Sequence, residues 1–424
     1  MERRKFLSAA ALLALKPTFG NLYQSNPEFY LNRNADNVEL WKDLRALFPL
    51  QKGRTYLNNG TMGITPYPVL QAVEQSFLTA ATEGAYPGHS DELLKLIAGL
   101  TGVTADEITI TKNVSEGTNH VCWGIPLKAG DEVILSTHEH VGGCLPWIHR
   151  SKSEGIVIKT FHPGKNAEET LRNFEKAITK KTRVVAVPHI PCTIGQILPV
   201  KEICALAKSK NIITAVDGAH PLGMIQFNIR EIGCDYYYGC IHKWALGPLG
   251  TGFLYISKNI LEKTKCTHIA AYSSATFNMT SNPPTMGELV PTASRFTYGT
   301  FSGPLFDGAI KALQLYNDIG PDKIEKRIRG LATYLQDKLL ELGNKVEVIT
   351  STEAASRGAQ ISFRINNGNK KATQDFQSEC NKKNIVIRYV GESDLDCLRV
   401  STHYYNMEDE VDLLVDELKK YIGG

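Results

Sequence analysis

The stretch whose reading decides the fold is Ile212 to Gly252, IITAVDGAHPLGMIQFNIREIGCDYYYGCIHKWALGPLGTG. An apolar, β-branched run ends in Asp217-Gly218-Ala219-His220, a crossover of about one helix follows, and a second run ends in His242-Lys243-Trp244 before a turn rich in Gly and Pro. The 26 positions from Asp217 to Lys243 suit one βαβ step. Both side chains would then emerge at the carboxyl ends of neighbouring strands, where open α/β sheets bind ligands.

Outward from this unit, strand candidates lie at Glu107 to Thr111, Glu132 to Ser136, Gly155 to Thr160, Thr182 to Pro188, Ile212 to Val216, Asp235 to Tyr238 and Gly252 to Ile256. Helical patterns such as Ala167 to Ile178 and Val200 to Lys210 separate them. Apolar strands alternating with helices predict an α/β domain at 51–303, a large, doubly wound, mostly parallel seven-stranded sheet covered on both faces. The long Ser-, Thr-, Asn- and Pro-rich loop from His268 to Thr300 is of a length more often functional than idle. From Pro304 the pattern turns to long helices, Leu305 to Ile319 and Asp322 to Leu342. Short strands follow at Val346 to Ile349, Gln360 to Ile365, Ile385 to Tyr389 and Cys397 to Ser401, with a closing helix from Glu408 to Tyr421. This predicts a smaller C-terminal α+β domain at 304–424. Residues 21–50 read as an N-terminal arm with a docking helix, Tyr30 to Leu47, stopped before Pro49.

Composition narrows the classes. The 47 Lys and Arg against 44 Asp and Glu leave a net charge of +3, with no basic stripe, which argues against a general nucleic-acid binder. Nine cysteines, an odd number without a C-x-x-C pair, indicate neither a zinc ribbon nor a disulfide framework. Met1 to Gly20, MERRKFLSAAALLALKPTFG, has a basic start and an apolar run from Phe6 to Leu15, too short to span a bilayer. Its Arg3-Arg4 pair resembles a twin-arginine export signal, so a periplasmic or exported protein without stable membrane insertion is expected. Lys16-Pro17-Thr18 offers no clean small-x-small cleavage site, and a cytoplasmic location is the alternative.

A lysine beside an aspartate at such a sheet edge fits one demanding chemistry. Lys243 can form a Schiff base with pyridoxal 5'-phosphate while Asp217 keeps the pyridine nitrogen protonated, so that the ring withdraws electrons from the substrate Cα. His242 would sit near the phosphate, and Gly247, Gly250 and Gly252 would let the backbone pass close to the cofactor. The bland reading is an ordinary surface Lys-Asp pair at a strand end.

The complete string resembles the class V aminotransferase family of fold-type I pyridoxal-phosphate enzymes, which includes cysteine desulfurases, kynureninases and isopenicillin-N-epimerase-like proteins. The resemblance runs from about Tyr56 to the C-terminus. Thr111 to Thr118, TKNVSEGT, follows a strand and opens a helix whose free N–H groups suit a phosphate. The resemblance assigns that phosphate to Val114, Ser115 and Glu116; a plain N-cap at Ser115 is the rival. In Ser136-Thr137-His138-Glu139-His140 the resemblance places His140 on the pyridine ring and leaves His138 a core residue. The two histidines, on one face if the strand continues, would otherwise suggest a metal, but no third ligand follows and none is expected. His220 matches a position near the ring's phenolic oxygen, and His189 a structural support. Cys240 matches a phosphate-side position and Cys192 one beside the ring. Gly299-Thr300 resembles a pair that reaches the partner's phosphate across a dimer interface, which implies a homodimer. Arg399 would bind an amino acid's α-carboxylate through paired hydrogen bonds, and Arg388 is a candidate second anion contact.

The expected activity is therefore pyridoxal-phosphate chemistry at the α-carbon of an amino acid, most like the isopenicillin-N-epimerase group, with Lys243 as base and an epimerase, aminotransferase or lyase outcome. Desulfurases place a nucleophilic Cys on the loop before the substrate arginine, whereas here that segment reads YVGESDLDCL and its one thiol, Cys397, falls two residues before Arg399. A cysteine-desulfurase- or selenocysteine-lyase-like C–S lyase is the alternative. An exported non-catalytic relative and a metal-dependent hydrolase using His138, Glu139 and His140 are the contrasting readings.

Overall fold

The structure, a computed structural model, describes residues 38–86, 90–365 and 368–423. The export-type segment and the first residues of the expected docking helix lie outside the described residues. Within them no helix is long and apolar enough to cross a membrane.

Seven strands form the central sheet: β1 (Ile108–Thr111), β2 (Glu132–Ser136), β3 (Val157–Phe161), β4 (Thr182–Pro188), β5 (Ile213–Gly218), β6 (Tyr236–Cys240) and β7 (Gly252–Ile256), in the order β1-β7-β6-β5-β4-β2-β3. β7 alone runs opposite to the other six strands. The central strands are apolar on both faces because helices cover both. Val185, Val187, Val216, Tyr237 and Phe253 pack into one buried cluster, while the alternating Val184, Ala186, Ala215, Tyr236, Tyr238 and Leu254 pack into another.

Several expected boundaries shift for local reasons. Glu107 is not in the first strand; it closes a 3₁₀ turn as the capping-box partner of Thr104 and pairs with Arg230. Gly155, expected to open β3, is instead the left-handed C-cap of the preceding helix (φ 73°), a role glycine fills without strain. β5 and β6 each run about two residues further than expected, to Gly218 and Cys240, which carries the sheet to the edge of the functional residues.

A second sheet contains β8 (Val346–Val348), β9 (Gln360–Ile365), β10 (Arg388–Val390) and β11 (Cys397–Ser401), in the order β8-β9-β11-β10. The expected strand from Ile385 to Tyr389 divides: Ile385–Val386 pairs in parallel with Thr55–Tyr56, and only β10 joins the sheet. The helix Gly303–Ile319, expected to open the smaller domain, packs on the large one. Its Phe306, Ala309, Ile310 and Leu313 join the cluster beneath β1 and β7. The first helix among the described residues, Val38–Arg45, buries Leu40, Trp41 and Leu44 against Tyr404, Tyr405, Ile324 and Ile328, tying this segment to the C-terminal part.

Candidate active site

The carboxyl ends of β4, β5 and β6 open onto a cavity of about 330 Å³. In register, Asp217 on β5 stands opposite Tyr238 on β6, so Lys243 lies just past the end of the neighbouring strand, as the spacing predicted. Asp217, His220, Cys240, His242 and Lys243 all line the cavity.

The lysine turn is fixed from below. Gly63 N–H donates to the His242 carbonyl at 3.1 Å, and a β-carbon at Gly63 would come 2.0 Å from the Lys243 carbonyl oxygen. Trp244 Nε1 donates to His220 Nδ1 at 3.0 Å, and His403 Nε2 meets the Trp244 carbonyl at 2.9 Å. Leu246, buried, adopts φ 58°, a left-handed conformation unfavourable for a branched side chain. Gly247, Gly250 and Gly252 do not form the cavity wall as expected. Gly247 and Gly252 serve packing, since a β-carbon at Gly247 would meet Ile241 at 2.6 Å and one at Gly252 the Gly239 carbonyl at 2.7 Å, while Gly250 takes a positive φ of 85°.

After β1, the helix Val114–Gly124 starts at the cavity. Its N-cap is Asn113, whose Oδ1 accepts from Glu116 N at 3.0 Å, rather than Ser115. Val114 and Ser115 line the cavity as expected; Glu116 does not. Its backbone N–H is taken by Asn113, and its carboxylate turns back to the Lys112 N–H at 2.5 Å, facing a neighbouring hollow with Tyr298. An anionic side chain there keeps away from a phosphate cradle.

After β2 the chain has left the strand at Ser136, so His138 and His140 do not share a face. His138 bonds Thr193 Oγ1 at 3.0 Å and faces, beside His162, a cleft also lined by Glu347, Thr350 and Arg364. His140 caps the helix Val141–Glu154, its Nδ1 accepting from Gly142 N at 3.1 Å, and lines the cavity. Between them in sequence, Glu139 is half-buried, with its carboxylate oxygen Oε1 buried and unpartnered. No cluster of ligands fit for a metal occurs among the described residues. A β-carbon at Gly142 would lie 2.5 Å from Ser115 Oγ; the absent side chain keeps that corner open.

Burial sets the charges. It pushes the Asp217 carboxyl up to about 6, against the opposing pull of the Ala219 N–H, 2.9 Å from Oδ1, and of Lys243. Burial, with Asp217 close by, carries Glu139 well above the usual carboxylate range. His220 is held well below its ordinary value by burial and then by Lys243, and His140 is lowered for the same two reasons. Burial likewise lowers His242 and pushes the Cys240 thiol up to about 11. Cys240 Sγ donates to the Ala219 carbonyl at 3.3 Å. His189 bonds Tyr237 at 3.1 Å, and its N–H donates to the Asp217 carbonyl at 2.8 Å, the supporting place expected of it.

The arginines divide unexpectedly. Arg399, fully buried, lies behind the wall: Nη1 donates to the Cys192 carbonyl at 2.9 Å and Nη2 to Asn58 Oδ1 at 3.0 Å and Thr61 Oγ1 at 2.8 Å, with Nε unpartnered. Burial, and then Arg388, lowers it to about 10, so it stays a cation. Arg388 lines the cavity directly, with Cys192, Gly60 and Thr61. Gly60 and Thr61 escaped the sequence reading, although the Asn59-Gly60 pair is a turn signal. Thr300 is exposed at the end of its loop, outside the cavity.

Known proteins share this chain's sequence pattern and fold. A probable cysteine desulfurase of Methanothermobacter thermautotrophicus is 28% identical over 409 residues, covering 90% of this chain and 98% of the relative. Isopenicillin N epimerase of Amycolatopsis lactamdurans is 26% identical over 394 residues, with the same coverage. Among solved structures, a cysteine desulfurase from Thermococcus onnurineus superposes with a TM-score of 0.80 over 90% of this chain and 98% of that one, at 24% identity, which shows a common fold. C-DES, in a form with glycine covalently linked to its pyridoxal-phosphate cofactor, gives 0.78 at 25% identity over 88% of this chain and 98% of that one. The aminotransferase class-V profile matches residues 88–414, well over half of the 424, and the chain belongs to that family.

Proposed function

We propose that the protein is a pyridoxal 5'-phosphate enzyme acting at the α-carbon of an amino acid. The observation that carries this is the convergence of Lys243, Asp217, His140 and His220 on one cavity. The donor set fits the cofactor. Val114 and Ser115 stand at a helix start for a phosphate, Gly142 leaves the space beside Ser115 open, and Asp217 supplies a buried carboxylate for the ring nitrogen. When bound, the cofactor supplies an aldehyde for amines and a cationic ring that stabilises negative charge at the adjacent carbon.

With the cofactor bound, Lys243 would serve as the general base that takes the Cα proton. His220 positions that amine. Its Nδ1 accepts from Trp244 at 3.0 Å and from Gln360 Nε2 at 2.9 Å, so its proton sits on Nε2, which faces Lys243 Nζ at 3.5 Å. Arg399, behind the cavity-lining Cys192 and Thr61 to which it donates, would reach the α-carboxylate through its unpartnered Nε. Epimerisation, transamination and β-elimination diverge only after the proton has left, so all three use these residues. A thiol-dependent desulfurase reading is disfavoured. Cys397 is buried in β11 beside Ile194, Val390 and Leu395, with its thiol pushed up to about 12, and the turn at 391–396 carries no other cysteine.

A homodimer fits the loop that ends at Thr300, which exposes Ile269, Tyr272, Phe277, Met279 and Met286, apolar surface suited to a partner. Export rests on Arg3-Arg4 and the apolar run that follows. Purified protein with the cofactor should be yellow, bleach with borohydride, and lose both properties in Lys243→Ala. A colourless, borohydride-insensitive protein sinks the proposal. A spectral screen of amino acids and amino-bearing peptides then finds the substrate.

A further inference from the structure

Building on the reading above, in which Arg399 holds the α-carboxylate, we propose that Arg388 binds a second carboxylate, so that the preferred substrate is an amino acid with an acidic side chain. Arg388 and Arg399 are register partners on the antiparallel strands β10 and β11 and leave the sheet on the same face. Directly opposed side chains of this kind have β-carbons roughly 4.5–5.5 Å apart, and like charges so placed disfavour each other unless anions intervene. The two guanidinium groups lie at different depths. Arg399 is 0% exposed, whereas the Arg388 side chain is 24% exposed at the cavity wall. A substrate anchored by its α-carboxylate at the inner arginine directs its side chain outward, past the second.

The partners of Arg388 leave it open to a ligand. Arg45, Arg230, Arg295 and Arg327 each grip one carboxylate through both terminal nitrogens. Arg388 touches Glu392 through Nη2 alone, its one hydrogen bond among the described residues, so most of its donor fork is unspent. Glu392 is 38% exposed and lies outside the cavity lining. It is kept there by a turn in which Ser393, Asp394 and Asp396 all adopt positive φ (56°, 54° and 45°) and Ser393 Oγ donates to the Thr137 carbonyl at 2.6 Å. Among the described residues, the only carboxylate in the cavity wall is Asp217, which is taken up with Lys243 and the ring. An incoming carboxylate on the free side of Arg388 therefore meets a cation without a counter-charge inside the cavity.

The test uses isosteric pairs on the cofactor-loaded enzyme: L-glutamate against L-glutamine and L-aspartate against L-asparagine, and their D-forms, by spectral titration. Calorimetry with glutarate against butyrate reads the anion site without the amine. The acidic member should bind at least 10-fold tighter. Arg388→Gln should abolish that preference while leaving the amides within 3-fold, Arg388→Lys should keep part of it and serve as a folding control, and Glu392→Gln should sharpen it. No preference in the wild type, or an Arg388→Gln loss equal for acids and amides, overturns the proposal. An Arg399→Gln variant that leaves every amino acid unaffected would instead refute the α-carboxylate reading, and the glutarate titration tells these failures apart.

Discussion

Asp217 is held as an anion in a place that resists one, and that tension gives a measurable consequence. Its carboxyl is pushed from 3.8 to about 6 by burial, so the folded state binds its proton more tightly than the unfolded state does. Between those two values folding takes up a proton, and stability therefore falls as pH rises; above about 6 the cost is complete. The interval corresponds to about 3 kcal/mol. Asp217→Asn removes the titration while keeping an oxygen for the Ala219 N–H, 2.9 Å away. In the cofactor-free protein the variant should match the wild type near pH 3, gain through the window from 3.8 to about 6, and be about 2–3 kcal/mol more stable at pH 7.5. Urea unfolding of both proteins at a series of pH values measures this. The same variant should lose activity, because an amide cannot hold the ring nitrogen protonated. An Asp217→Asn variant no more stable than wild type at pH 7.5 would show that Asp217 is not an uncompensated buried charge, and the account of the site's electrostatics would fail with it.

Other perturbations test the remaining supports. Gly63→Ala places a methyl 2.0 Å from the Lys243 carbonyl oxygen and must displace the lysine turn, so cofactor affinity, followed by absorbance titration, should fall at least 10-fold in a protein that still folds. Trp244→Phe removes one of the two donors on His220 Nδ1, worth about 1 kcal/mol as a hydrogen bond; the acid limb of the pH–rate profile should move while substrate KM stays within about 3-fold. Cys397→Ala should leave turnover of any amino acid nearly unchanged, since the thiol is buried and protonated; abolition of turnover together with lost sulfide release from cysteine would restore the desulfurase reading.

What the sequence revealed was what local pattern controls. Strands with apolar residues at every central position, such as Glu132–Ser136 and Thr182–Pro188, stand out because both faces are covered, and the Asp217-to-Lys243 spacing needs only one crossover to be interpreted. Conformations set by a cap or a turn were not legible. The direction of His138 depended on β2 ending at Ser136, and that of Glu116 on Asn113 taking its N–H, neither of which a two-residue period records. The helix Gly303–Ile319 opens a new sequence pattern yet packs on the cluster beneath the central sheet, because its apolar stripe is buried there. Gly60 and Thr61 come from a segment more than 150 residues away in sequence from Lys243, placed by Gly60 N–H donating to Ser401 Oγ at 2.9 Å; such a contact has no local signature.

The order of depth in the cavity explains why so few of its titratable groups carry charge. His140, His220 and His242 are all lowered by burial and by the nearby lysine, and Cys240 is raised, so near neutrality each is uncharged. Asp217 and Arg399 keep their charge. A neutral His220, its Nδ1 occupied from behind, cannot compete with Lys243 for the substrate's Cα proton through that nitrogen. It can only orient the amine through Nε2. Proton transfer is then directed to one group because burial has silenced the others, and the same burial is what makes Asp217 costly. Stability and reactivity at this sheet edge thus oppose each other through one physical term, the desolvation of charge, and Asp217→Asn separates them.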